Sequence, residues 1–97
     1  MFAIYGIQHQ SEQLNHNEFN NATESLIKNF MKQIDDHTVD IIIPKGTNYN
    51  KYFGNPIHGS HKCLQIIDDI HCYSFDENAE VNITLKSITS INQWFFH

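Results

Sequence analysis

The chain has no arginine. All six of its basic residues are lysines, set against eleven Asp and Glu, for a net charge of −5. Arginine supplies the planar fork that grips phosphates and guanine edges, and a nucleic-acid binder also needs a basic face. That composition argues against a nucleic-acid partner. The two cysteines, Cys63 and Cys72, are too few for a disulfide scaffold. No apolar run approaches the ~18–20 residues of a membrane span. The start, Met1-Phe2-Ala3-Ile4-Tyr5-Gly6-Ile7, lacks a basic stretch and turns polar too soon for a signal peptide. These absences predict a cytoplasmic protein with reduced thiols and no membrane contact. Gly-x-Ser-x-Gly, a glycine-rich phosphate loop and His-Glu-x-x-His are all missing, so a non-catalytic protein without a cofactor is expected.

What is present fits one small α+β domain over residues 1–97. The length suffices for one domain, and seven Phe, four Tyr and one Trp supply large packing units. Residues 2–8 carry apolar groups on both faces, as an interior strand does. From Asn15 to Asp36 the residues Phe19, Ala22, Leu26, Ile27, Phe30 and Ile34 recur every three or four positions, which predicts one amphipathic helix. Asn15 and Glu18 have capping-box spacing at its start. Thr38 to Ile43 is β-branched and predicts a strand stopped by Pro44.

Residues 45–61 hold three Gly, one Pro and three Asn and read as a long loop. Lys62 to Phe75 is strand-like with Asp68-Asp69 near its middle. One bent strand is favoured over a hairpin turning at the aspartates, because 76–79 is the better turn. Val81, Ile83 and Leu85 alternate along another strand, and Ser87 to Phe96 predicts a last one. The order is β-α-β-loop-β-β-β: one helix packed on a mainly antiparallel sheet of about five strands.

Several clusters invite chemistry. His58, His61, Cys63 and His71 offer imidazoles and thiols for a metal or for histidine-based catalysis. Their spacing matches no standard metal motif, and Cys63 and Cys72 would face opposite sides of a single strand. Loop histidines and small packed cysteines are the plainer explanation. The chain also carries an acidic set, Asp35, Asp36, Asp40, Asp68, Asp69, Asp76, Glu77 and Glu80, in which Asp35-Asp36 ends the predicted helix, Asp68-Asp69 interrupts a strand and 76–80 forms a turn. Singly they are solvated surface groups. Together they could form a negative patch that occupies a cationic groove. Tyr49, Tyr52 and Phe53, set among Gly and Asn, either anchor a recognition loop or tuck into the core.

With its acidic balance and the clusters Asp35-Asp36 and Asp68-Asp69, the chain resembles the small acidic immunity proteins of bacterial toxin–immunity pairs, including those of contact-dependent growth inhibition. The resemblance implies a cytoplasmic protein that binds a cognate protein toxin, often a basic nuclease, and occludes its active site or substrate groove. Phage-encoded inhibitors of host defence nucleases look alike at this level. Two other readings stand beside it. One is a small enzyme centred on His58, His61, Cys63 and His71. The other is an oligomerising module that pairs through Trp94, Phe95 and Phe96.

Overall fold

A computed structural model describes residues 1–7, 19–57 and 59–94. The described residues form an α+β fold with seven strands in two antiparallel sheets and two helices. Strands β1 (Phe2–Gly6), β2 (Phe19–Asn21), β5 (Cys63–Ile67) and β6 (Cys72–Asp76) form one sheet, in the order β2-β1-β5-β6. Strands β3 (Met31–Asp35), β4 (Thr38–Ile43) and β7 (Val81–Lys86) form the other, in the order β3-β4-β7. Helices α1 (Thr23–Phe30) and α2 (Tyr49–Phe53) precede β3 and β5, and a 3-10 turn covers Ile91–Trp94.

The predicted strands at the N-terminus and at Thr38–Ile43 are both central in their sheets, the second with one buried face and one wet face. Alternation sets the core. Ala3, Tyr5, Leu64 and Ile66 from one sheet meet Val39, Ile41, Ile43, Val81 and Leu85 from the other in a single buried cluster. Leu26 of α1 and Ile91 join it, both fully buried. The start of α1 is pinned to β1: Thr23 Oγ1 accepts from Ala3 N–H at 2.8 Å, and Ala22 N–H donates to Ala3 O at 2.8 Å.

Four expectations change. The helix predicted from Asn15 to Asp36 covers only Thr23–Phe30, and its C-terminal third is strand β3. Residues 31–35 pair with β4, Met31 opposite Ile41 and Gln33 opposite Val39, and that ladder overrides the helical spacing of Phe30 and Ile34. The capping pair Asn15 and Glu18 lies outside the described residues.

The long loop contains α2, which buries Tyr49 and Phe53 one turn apart. Gly54, with φ +81°, ends it where a Cβ would meet Asn20 Nδ2 at 2.6 Å, and that amide donates to Phe53 O. Residues 62–75 form a hairpin rather than one bent strand, turning at Asp68–His71. The last strand ends at Lys86, and 87–94 leads into the 3-10 turn. Ser87–Ser90 is instead held by side chains of the two acidic turns. Phe95 and Phe96 lie outside the described residues.

Candidate partner-binding surface

The β3–β4 turn at Asp35-Asp36-His37 and the β5–β6 turn at Asp68–His71 both reach the segment after β7. Ser87 is the meeting point, itself almost fully buried. Its N–H donates to His37 O at 2.8 Å, and its hydroxyl donates to Asp69 Oδ2 at 3.3 Å. Asp69 Oδ2 also accepts from Ile88 N–H at 3.2 Å. From the other turn, Asp36 Oδ1 accepts from Ser90 Oγ at 2.7 Å, and Asp36 O accepts from Ile91 N–H at 2.7 Å. The His37 ring closes the tie through Nδ1, which lies 3.2 Å from Ser87 O and 3.0 Å from Thr89 O. Two acidic turns distant in sequence thus share one end of the molecule.

Within this end the carboxylates differ in kind. Asp68 is only 4 % exposed and works inward: its Oδ1 accepts from Ile70 N–H at 2.8 Å and His71 N–H at 2.6 Å, which builds the hairpin turn. Asp35, Asp36 and Asp69 are exposed. Asp35 Oδ1 accepts from His37 N–H at 2.8 Å, and that backbone bond, with a side-chain bond from Thr38, holds its carboxyl below the usual range. Two large apolar side chains stand beside them, Ile70 at 71 % and Ile88 at 74 % exposure. Among the described residues, the basic groups near this end are Lys86, which closes the ladder opposite Thr38, the Met1 amine, whose pKa is lowered by burial against the pull of Asp69 and Asp68, and the imidazoles of His37, 3.9 Å from Asp36, and His71, 3.8 Å from Asp68. The surface is an acidic rim with two exposed isoleucines, tied together by the hydrogen bonds of Asp36, His37 and Asp69 to residues 87–91.

The other acidic residues lie elsewhere. Asp40 sits on the wet outer face of the three-stranded sheet, opposite Lys32, and accepts from Thr84 Oγ1 at 2.7 Å. Asp76, the last residue of β6, and Glu77 and Glu80 in the β6–β7 connection lie at the far end of the hairpin. Glu77 is largely buried and faces the nearly fully buried Lys62, with Nζ to Oε1 at 3.3 Å. Lys62 Nζ also donates to Ser60 O at 2.9 Å and Ile57 O at 3.3 Å. Glu77 is therefore a structural ion pair, not a displayed charge.

The aromatic residues 49–53 are chiefly core, which corrects the reading of a recognition loop. Tyr49 is fully buried and donates to Ala79 O at 2.5 Å, and burial pushes its phenol up to about 12. Phe53 is 5 % exposed and packs on Tyr5, Phe30 and Tyr49. Tyr52 is half-buried against Phe30 at 4.9 Å. Tyr5 donates to Asn50 Oδ1 at 2.7 Å, and burial, reinforced by Glu77, raises its phenol well above the ordinary value.

The histidine–thiol set is divided. His61 and Cys63 stand at the start of β5, His61 3.7 Å from Asp76, while His71 and Cys72 stand at the opposite end of the hairpin. Four steps along the strand take Cys63 to Ile67, the partner of Cys72, or about 13 Å. The two cysteines share the outer face at opposite ends of the hairpin, and no disulfide joins them. His58 lies outside the described residues. Among the described residues, no three His, Cys, Asp or Glu converge to hold a metal, and no helix is long and apolar enough to cross a membrane.

Sequence reasoning missed Ile70 and Ile88. The signal was there: each is a lone large apolar residue in a polar run, Asp-Asp-Ile-His and Lys-Ser-Ile-Thr-Ser. Comparison with protein-family models, curated proteins and solved structures finds no match to this chain.

Proposed function

We propose that the protein is a non-catalytic inhibitor that binds a basic protein toxin, a nuclease in the first instance, in the cytoplasm and blocks its substrate groove. One observation carries this reading: Asp35, Asp36 and Asp69 come from two separate turns and share one end with the exposed Ile70 and Ile88. A groove built for phosphate is lined with cations. Carboxylates held at fixed spacing complement it and speed encounter, while the isoleucines supply apolar burial at the contact.

The test is co-expression with the product of the adjacent gene, followed by a nuclease assay of that product with and without the chain. The reading predicts a stable complex and loss of nuclease activity at a one-to-one ratio. An adjacent product that is not basic, or whose activity persists beside excess chain, overturns it.

A further inference from the structure

We infer that the outer edge of β6 is a pairing site for a second copy of this chain, through an antiparallel strand contact centred on Ser74. The inference stands apart from the inhibitor reading. β6 is the last strand of its sheet, and among the described residues no strand pairs with its far side. Its backbone geometry follows from the two bonds that flank the β5–β6 ladder. Glu77 N–H donates to Lys62 O at 2.9 Å, and Asp68 N–H donates to His71 O at 3.0 Å. Hydrogen-bonded pairs alternate along an antiparallel ladder. Phe75 and Tyr73 therefore point their backbone groups at Leu64 and Ile66. Cys72, Ser74 and Asp76 point theirs outward, and Asp76 O accordingly accepts from Ala79 N–H, outside the ladder.

The four sheet edges are not alike. β2 has three residues. β3 is broken by a register shift between Gln33 and Asp35 and carries Lys32. β7 ends in Lys86, and of its inward residues Val81 and Leu85 are already fully buried, with Ile83 half-buried between them. Short length, a bulge and lysine are the usual protections of an edge. β6 has five regular residues, Cys-Tyr-Ser-Phe-Asp, with no lysine, proline or bulge. Its inward residues Tyr73 and Phe75 pack on the core yet stay only half-buried. Another strand here gains apolar burial as well as hydrogen bonds.

The strand is complementary to itself. A twofold axis through Ser74 sets Ser74 against Ser74 and Cys72 against Asp76, all with outward backbone groups, so every pair has the correct hydrogen-bonding parity. Tyr73 then meets Phe75 of the second copy twice on the inner face, an aromatic pairing that favours strand association. The result is a continuous eight-stranded sheet. Five residues bury less than the ~1,200 Å² of a stable interface, so the dimer is weak and forms only at high concentration.

Sedimentation equilibrium of the full chain up to about 1 mM, with amide hydrogen exchange at the same concentrations, tests this. The mean mass should rise toward two chains, and the amides of Cys72 and Ser74 should gain protection in step. Ser74→Pro deletes only the outward N–H and leaves the β5 ladder whole. Two lost N–H donors should weaken association about 100-fold. Ser74→Lys, which keeps the backbone intact, should weaken it by facing two ammonium groups across the axis. A chain that stays monomeric at the top concentration overturns the inference. So does a dimer that persists in both variants.

Discussion

Tyr49 shows how one side chain can join two parts of the fold. Its ring packs on Tyr5 and Phe53, its hydroxyl holds Ala79 in the β6–β7 connection, and its N–H is held by Asn78 Oδ1 at 3.0 Å. Asn78 takes φ 65° to make that reach, a conformation asparagine tolerates better than most residues. The buried phenol has a pH consequence. Its folded pKa of about 12 lies above the ordinary 10.0, so the native state keeps a proton that the unfolded chain releases first. The stabilisation is complete below pH 10 and is lost as pH rises toward 12. Tyr49→Phe should cost about 1 kcal/mol at neutral pH by leaving the Ala79 carbonyl unpaired, and it should flatten the alkaline loss. A pH series of urea midpoints reads both effects. Equal alkaline slopes in the two proteins would refute this account of Tyr49.

At the scale of elements, the turns do more than connect strands. The β5–β6 turn depends on the Asp68 carboxylate, which satisfies two backbone N–H groups from a buried position. The β3–β4 turn exposes Asp36 and anchors Ser90 through one oxygen. Asp68→Ala should therefore destabilise the fold by about 2 kcal/mol, while Asp36→Asn, which keeps an acceptor, should stay within about 0.5 kcal/mol. Chemical denaturation of the two variants checks the contrast, and equal losses would contradict it.

The same elements show what the sequence discloses. Thr38–Ile43 was readable because β-branched residues run up to a proline and the strand is central. β3 was hidden, because Phe30 and Ile34 keep helical spacing while cross-strand pairing with β4 decides the outcome. The β5–β6 hairpin was hidden because its turn contains neither glycine nor asparagine and relies on a buried aspartate. α2 is too short for a periodic signal. The acidic clusters were legible as residues, but their roles were not. Burial separates Asp68 and Glu77, which hold the fold, from Asp35, Asp36 and Asp69, which face outward.

For the whole molecule, a net charge of −5 produces a field, and the topology gives that field a direction. The outer face of the three-stranded sheet mixes Lys32 and Lys86 with Asp40, whereas the end at Ser87 carries three exposed carboxylates and two exposed isoleucines. Amide NMR mapping of the labelled chain, titrated with the adjacent-gene product, tests the central claim most directly. The account predicts shifts concentrated at residues 35–37, 69–71 and 87–90. Shifts confined to the outer face of the three-stranded sheet, with those turns unmoved, would contradict it.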